Sequence, residues 1–352
     1  MEGLNLKQMA ASVHAIAEEK NLPEEVVLSV IEQAIAAAWK HDNDSKELNV
    51  RAILNTENGT AKIIVHYDIV EEPENGGQLS LEEARKLDKK ALLEGVIEQE
   101  YEAKSFGRVA AQVAKQVLLQ KLREAEREIV AKQFDGRVGE ILTGTVSRVE
   151  PRVVRIDLGK GEGIMPSAEQ VPGERLMVGL RTKVILKDIE RDQRGATLIL
   201  SRATADFVKE LFVQEVPEIE TGAVEIKAVA REAGRRTKIA VSSSVPGVDP
   251  VGTFVGAKGI RVQTVMGEIG DTEKIDIVTF DKDIKNFIAN ALSPAEIQSI
   301  NLNEEEKTAI IHVDGSQKSI AIGKQGQNVR LASQLTGYEL EIQTDSGDAV
   351  SE

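Results

Sequence analysis

The sequence predicts an α+β protein of several modules: an N-terminal α+β domain, a small five-stranded β-barrel and two tandem α/β domains. The chain has 352 residues, which at about 150 residues per domain indicates two or three domains. Segments with helical spacing of apolar residues alternate with short β-branched runs along most of the chain. A glycine tetrad also occurs twice in the same setting, which indicates a duplicated unit.

Residues 1–135 predict the N-terminal α+β domain. Apolar residues recur at helical spacing from Leu6 to Ala17, and a second helix is predicted to end near Trp39. Asn21 is the predicted N-cap of that second helix, and Pro23 lies in its first turn. The other predicted elements are strands at 48–54 and 61–70 around an Asn-Gly hairpin signal, a short segment at 81–87 and a long helix at about 105–133.

Residues 136–203 have a different pattern, in which short β-branched runs are separated by Gly, Pro and charged turns. The runs lie at 138–149, 153–158, 163–165, 181–189 and 196–200. This spacing is typical of a five-stranded barrel of the OB type. The segment 159–166 and the closing Leu200-Ser201-Arg202 resemble the RNA-binding OB module that is repeated in the largest protein of the bacterial small ribosomal subunit.

The barrel segment contains no aromatic residue on which a base could stack. Between Arg137 and Ala203 there is no Phe, Tyr or Trp. Any RNA contact by the barrel would therefore be mainly electrostatic, and a role as a spacer remains open.

Two glycine tetrads carry the strongest binding signal. They are Gly256-Ala257-Lys258-Gly259 and Gly323-Lys324-Gln325-Gly326. The tetrads begin 67 residues apart, and the strand-like runs that follow them, 274–277 and 339–342, are 65 residues apart. Two other Gly-x-x-Gly stretches, beginning at residues 136 and 267, lack an internal lysine and the apolar flanks. The match thus extends beyond the glycines.

Around each tetrad the predicted order is helix, two strands, helix, tetrad, helix, strand. The two copies occupy 204–281 and 282–345, and an acidic tail follows at 346–352. This order resembles the bacterial-type KH domain. In KH domains the glycines allow backbone N–H groups to approach phosphates of single-stranded RNA, and the helix N-terminus adds its positive dipole end.

The charge distribution is uneven. The net charge of −14 argues by itself against a nucleic-acid-binding protein. Between residues 227 and 261, however, seven Lys or Arg residues face two acidic residues. Because a Debye length of about 8 Å screens distant acid, we interpret this segment, with Arg235 and Arg236 in its central turn, as a candidate phosphate-binding surface.

The sequence shows no catalytic or metal-binding pattern. There is no cysteine, the four histidines lack metal-ligand spacing, and the P-loop motif is absent. We expect no catalytic residue, no metal site and no cofactor. No apolar run approaches the roughly 20 residues that a membrane helix needs, and the N-terminus lacks the basic head of a signal peptide. We therefore expect a cytoplasmic protein without membrane contact.

The order of the modules and four long stretches resemble the NusA family of bacterial transcription elongation factors. The stretches are 106–116, 225–231, 249–252 and 326–335, and the resemblance covers essentially the whole chain. It implies that the N-terminal domain binds RNA polymerase and that the barrel and KH domains hold the nascent single-stranded RNA. The protein would then modulate pausing, termination and, with other Nus-type factors, antitermination. We expect a monomer without regulation by the acidic carboxy-terminal repeats of some members.

The candidate site residues follow from the tetrads and from the resemblance. For RNA binding they are Gly256, Ala257, Lys258, Gly259, Arg261, Gly323, Lys324, Gln325, Gly326, Gln327, Arg330, Arg235 and Arg236. The glycines permit close backbone approach, and the cations hold phosphate. The resemblance implies that Arg108 and Lys115 contact polymerase, although a plain helix-surface role for both remains open.

Two other classes of function remain as alternatives. An RNA-degrading enzyme can carry OB and KH modules, as polynucleotide phosphorylase does, but there they are appendages of large catalytic domains and KH precedes OB. An RNA chaperone or ribosome-assembly protein would need only the RNA-binding half. Co-purification with ribosomal subunits, and none with polymerase, would favour the latter.

Overall fold

The computed structural model describes residues 5–45, 47–103, 106–192, 195–270 and 272–344. Its contacts divide the chain into two compact units. The first consists of Met1–Gln133 with Arg191–Ala196, and the second of Phe134–Glu190 with Thr197–Glu352. The predicted acidic tail at 346–352 lies outside the described residues.

The first unit packs helices on a mixed β-sheet. Its helices are α1 Leu6–Lys20, α2 Glu24–Asp42, α3 Leu81–Leu87 and α4 Arg108–Lys132, and its strands are β1 Asn49–Asn55, β2 Thr60–Val70, β3 Gln78–Ser80 and β4 Val96–Ala103. Strand β2 pairs antiparallel with β1 and β4 and parallel with β3. Apolar residues of α1, α2 and α4 are buried with those of β1 and β2 in one cluster. The unit therefore has a core of its own.

The first unit differs from the prediction in two places. Asn21 adopts the left-handed conformation, with φ 51°, and ends α1, while Pro23 directly precedes α2. Asn21 is thus the C-cap of the first helix and not the N-cap of the second. Strands β3 and β4 were not predicted, because β3 has only three residues and β4 has a single buried residue, Ile97.

The second unit begins with a closed five-stranded barrel, which confirms the predicted OB-type barrel. Its strands are β5 Ile141–Glu150, β6 Val153–Asp157, β7 Glu162–Pro166, β8 Arg181–Asp192 and β9 Gly195–Ser201. Around the barrel the order is β5-β6-β7-β9-β8. Strands β7 and β9 pair in parallel, and β5 closes the barrel by pairing antiparallel with β8.

Two α/β domains with the same order of elements follow, which confirms the prediction of tandem bacterial-type KH domains. The first KH domain contains α5 Ala205–Glu215, β10 Val224–Glu232, β11 Arg236–Ser243, α6 Pro250–Val255, α7 Ile260–Ile269 and β12 Lys274–Thr279. The second contains α8 Ile284–Ala291, β13 Ile297–Asn303, β14 Thr308–Val313, α9 Lys318–Ile322, α10 Gln327–Thr336 and β15 Glu339–Thr344. In each sheet the first two strands are antiparallel, and the last strand lies parallel to the middle one.

The two KH domains share a hydrophobic core. Ala230, Ala240 and Val278 of the first sheet belong to the same buried cluster as Leu331 and Leu335 of α10. Burial of apolar surface on both sides of the junction holds the domains together. The relative placement of the two tetrads is therefore set by packing.

A buried ion pair lies at the end of the first KH sheet. Glu273 is completely buried, and Arg231 donates from Nε and NH2 to its two carboxylate oxygens at 2.8 and 3.0 Å. The hydroxyl of Thr237 and the backbone N–H of Gly234 donate to the same carboxylate at 2.6 and 2.7 Å. With four donors the carboxylate is satisfied, which is the condition under which a buried charge can be retained.

Arg202 joins the barrel to the first KH domain together with Arg231. The NH1 group of Arg231 donates to the carbonyl oxygens of Arg202 and Thr204 at 2.7 Å. The guanidinium of Arg202, itself 3% exposed, donates to the carboxylate of Glu174 in the barrel segment and to the carbonyl of Glu268 in α7. Charge-assisted bonds of this kind are among the strongest in proteins. The two arginines thus fix the barrel against the KH domain.

We expect Arg231→Met to lower the free energy of unfolding of the second unit by about 3–5 kcal/mol, because the substitution leaves Glu273 buried and unpaired. Urea denaturation followed by circular dichroism measures the effect. The matched control is Arg236→Met, for which we expect a smaller loss because Asp276 keeps Lys238 as a partner. Equal denaturation midpoints for the two variants would contradict the assignment.

Candidate nucleic-acid interface

The two glycine tetrads adopt the same backbone conformation. The first glycines, Gly256 and Gly323, have φ 76° and ψ 173° and 175°. The third residues, Lys258 and Gln325, are both left-handed with φ 55°. The last glycine of each tetrad is also left-handed, with φ 79° in the first and 70° in the second, and a ten-residue helix begins directly after it. The duplication therefore extends to the dihedral angles of the loop.

The first glycine is required for two reasons. A positive φ with ψ near 180° is a region that only glycine occupies readily. There is also no room for a side chain: a Cβ on Gly256 would lie 2.8 Å from Cγ of Arg261, and one on Gly323 would lie 2.7 Å from Cβ of Asn328. The absence of a side chain allows the following helix to pack directly against the loop.

The lysines of the two tetrads are not structurally equivalent. Lys258 occupies the third position of its loop, whereas Lys324 occupies the second. Both are exposed, and neither has a hydrogen-bonding or ion-pair partner among the residues that the structure describes. Each loop therefore presents one available cation, but at a different place along the backbone.

Arg261 lies next to Gly256 of the first loop and donates hydrogen bonds to other parts of the protein. Its NH1 donates to the carbonyl of Thr253 at 2.8 Å, and its NH2 donates to Oε1 of Glu218 at 3.1 Å. The tetrad pattern predicts this arginine as a phosphate ligand. In the structure its guanidinium is already directed at two protein acceptors.

Gln327 and Arg330 are also engaged, in this case by the first KH domain. Nε2 of Gln327 and Nε of Arg330 each donate to the carboxylate of Glu232 at 2.7 Å. Burial raises the pKa of Glu232, but the hydrogen bonds from Arg330 and Gln327 outweigh it, so that the pKa lies below its ordinary value. These two candidates thus connect the second loop to the first domain.

The interpretation of 227–261 as an exposed basic surface needs correction. The side chains of Arg231 and Lys238 are 1% and 0% exposed, and burial lowers the pKa of Lys238. Arg236 donates two hydrogen bonds to Asp276, which raise its pKa. Arg235 is exposed, in the same turn as Glu232. Several of the clustered cations therefore hold strands and modules together, while Arg235 and Lys258 remain exposed.

The second KH domain has an open groove between α10 and β15. Its volume is about 500 Å³, and its apolar lining consists of Ala309, Ile310, Ile322, Val329, Leu340 and Ile342. Arg330 and Gly326 lie on the side of the tetrad. Among the described lining residues there is no aromatic side chain, so a base bound there would contact aliphatic groups.

The remaining candidates lie on exposed surfaces. Arg108 and Lys115 are exposed on α4, seven residues or two turns apart, which places them on one side of the helix. The N–H of Gly107 donates to Asp42 at 2.8 Å and fixes the start of this helix. In the barrel, Arg148 and Arg155 form ion pairs with glutamates. Contact of Arg108 and Lys115 with polymerase stays a prediction.

The described residues contain neither a metal-binding cluster nor a membrane-spanning helix. No group of three or more His, Asp or Glu side chains within them is arranged to hold a metal ion. No helix among the described residues has the length and apolar character that crossing a bilayer requires.

Comparison with known proteins agrees with this architecture. Residues 8–128 match the NusA N-terminal domain, 202–280 the NusA-like first KH domain and 284–349 the NusA-like second KH domain. A transcription termination/antitermination protein NusA from Halalkalibacterium halodurans is 43% identical over 330 residues, which cover 94% of this chain and 86% of that protein. The chain belongs to the NusA family. NusA of Bacillus subtilis is 42% identical over 94% of this chain and 88% of that protein, and NusA of Thermus thermophilus is 38% identical over 96% and 90%.

Membership in the NusA family confirms the predicted class of function, an RNA-binding transcription factor. Three residues that shape the interface were not predicted: Glu218, Glu232 and Asn328. Asn328 could have been found, because aligning the two tetrads places it opposite Arg261. No sequence pattern marks the two glutamates as partners of these arginines.

We expect Gly256→Ala to destabilise the first KH domain more than Gly259→Ala. The first change adds a contact of 2.8 Å to a backbone conformation that costs a side chain about 1–3 kcal/mol. At Gly259 the nearest atom to a Cβ is 3.6 Å away, so only the left-handed conformation is unfavourable. Thermal unfolding of both variants checks the order, and Gly323→Ala and Gly326→Ala should repeat it. The reverse order in both domains would refute it.

We expect the carboxylate of Glu232 to titrate below the ordinary value of 4.5. Since the pKa of the folded state lies below that of the unfolded state, the stabilisation is complete above the unfolded pKa and is lost as the pH falls through the folded one. Carbon-detected NMR of the Glu232 carboxyl measures the pKa. In Arg330→Met the pKa should rise, and an unchanged value would mean that the Arg330 contact is absent in solution.

Proposed function

We propose that this NusA-family protein binds RNA polymerase through its N-terminal domain and nascent single-stranded RNA through its KH domains. The observation that carries the proposal is a pair of glycine loops with one backbone conformation, fixed by a shared core, on the same chain as a NusA N-terminal domain. The proposed domains are 1–135 for polymerase, 136–203 for the barrel, and 204–281 and 282–345 for RNA.

We propose that the RNA backbone lies along the two loops. Lys258 and Lys324 hold phosphates, which is supported by their exposure and by the absence of partners among the described residues. Arg235 is exposed in the turn next to Glu232 and adds a third cation at the junction. Arg236 and Arg261 support the frame behind this surface through Asp276 and Glu218.

The proposed mechanism is tethering. When one part of the factor is bound, the effective concentration of the other part at its own target rises to about the millimolar range, so that two weak contacts act together. A factor bound to polymerase and transcript at once biases pausing, termination and antitermination. The relatives are named transcription termination/antitermination proteins, which supports this role.

The family also suggests the setting in which the protein works. We propose that it acts in the cytoplasm as a monomer without a cofactor, that it is not an enzyme, and that antitermination requires other Nus-type factors.

We expect the full-length protein to lengthen a hairpin pause in single-round transcription by purified bacterial RNA polymerase. Arg108→Glu with Lys115→Glu should remove most of the effect, because the double change reverses the charge of the proposed polymerase face. Lys258→Asp with Lys324→Asp should reduce it through weaker RNA binding, and circular dichroism should show both variants folded because all four side chains are exposed.

The matched control is Lys89→Glu with Lys90→Glu. It makes the same change in net charge, also at exposed positions of the N-terminal domain, away from α4. The control should pause like the wild type. If all three double variants lengthen the pause equally, the assigned contacts are wrong. If the wild type binds RNA and leaves the pause unchanged, the transcription role itself is refuted.

A further inference from the structure

The residue five positions after the first glycine has the same task in both KH domains. In the first domain it is Arg261, whose NH1 donates to the carbonyl of Thr253 at 2.8 Å. In the second it is Asn328, whose Nδ2 donates to the carbonyl of Ile320 at 3.2 Å. Each carbonyl lies three residues before the first glycine. In each domain a side chain in the first turn of the helix after the loop therefore donates a hydrogen bond to a carbonyl of the helix before the loop.

Each of these side chains also donates a hydrogen bond to a residue that follows the first helix of its domain, which is α5 or α8. Arg261 donates to Glu218, which follows α5, at 3.1 Å. Asn328 donates to the carbonyl of Leu292, the residue after α8, at 3.0 Å. The loop is thus held at three points: the helix before it, the helix after it and the first helix of the domain. We call this set of bonds the loop clamp.

The loop clamp differs in chemistry between the domains. Asn328 is buried and neutral, and the two hydrogens of its Nδ2 are shared among three carbonyl oxygens, the third being that of Ala321. In the first domain the side chains of Arg261 and Glu218 are 29% and 39% exposed, and they form an ion pair. Because this pair is only partly buried, removing the Glu218 side chain disturbs the core less than removing the buried Asn328 would. The first clamp is therefore the one that can be tested cleanly.

We propose that Arg261 and Asn328 are positioning residues for RNA binding, and that Glu218 acts on RNA affinity through Arg261. This inference rests on the proposed RNA-binding function. A binding constellation must be held within about 0.5 Å of its productive geometry by its supporting contacts. The loop clamp supplies that support to the loop backbone, directly beneath Gly256 and Gly323.

The loop clamp and simple electrostatics predict opposite effects on RNA affinity when the carboxylate of Glu218 is removed. Removing the carboxylate of Glu218 makes the protein less negative, which by charge alone strengthens binding of an anionic strand. If Glu218 holds Arg261 and thereby the loop, its removal weakens binding instead. Glu220 is the matched control, because it is exposed two residues away and has no contact with Arg261.

The experiment compares Glu218→Ala with Glu220→Ala in the full chain, using a 12-nucleotide single-stranded RNA of mixed sequence. We expect Glu218→Ala to bind about twofold to fivefold more weakly than the wild type, the effect of losing one partly exposed ion pair. Glu220→Ala should bind as tightly as the wild type or more tightly. NMR amide shifts of Ala257 and Lys258 in the free protein should change in the first variant and stay in place in the second.

Two outcomes would overturn the inference while wild-type binding stands. One is equal or tighter binding by Glu218→Ala relative to Glu220→Ala. The other concerns Arg261→Met, which should weaken RNA binding and leave its salt dependence unchanged. If the slope of log K against log salt concentration instead falls by about 0.7, Arg261 contacts a phosphate itself. If the wild type fails to bind the RNA, the proposed function fails first and the inference falls with it.

Discussion

The carboxylate of Glu273 is the point on which the arrangement of the second unit depends. Without water around it, this charge must be satisfied by the protein, and Arg231 of strand β10 meets that need. The same guanidinium reaches the carbonyl of Arg202, whose own side chain bonds the barrel. One buried charge thus links the barrel, the first KH sheet and helix α7. Arg231 and Lys238, which look like part of a nucleic-acid surface in the sequence, are instead buried in ion pairs.

The sequence was sufficient to predict the modules, but it did not predict which residues the charged side chains pair with. Apolar periodicity and the spaced tetrads predicted the barrel and both KH domains, because these patterns are local or repeat along the chain. The partners of the arginines are distant: 42 residues separate Arg231 from Glu273, and 98 separate Arg330 from Glu232. No local pattern encodes such pairs. Strand β4 was missed because only one of its residues, Ile97, is buried, so that its alternation carries little apolar signal.

The two KH domains are copies in backbone and specialised in side chains. Their loops share dihedral angles, yet the available lysine is at the third position in one and the second in the other. The outer strand begins with Lys274 in the first domain and with Glu339 in the second. The two domains thus share the loop backbone that we propose approaches RNA, and they differ in the charges around that loop.

The shared core of the KH domains has a consequence for what can bind them. Because Ala230 and Ala240 pack in one cluster with Leu331 and Leu335, the two loops cannot adjust their separation to suit a ligand. The conformational entropy of aligning them is lost once, when the chain folds, and not at each encounter. Under the proposed RNA binding, adaptation to this fixed spacing falls to the RNA, and an unpaired strand bends more easily than a double helix.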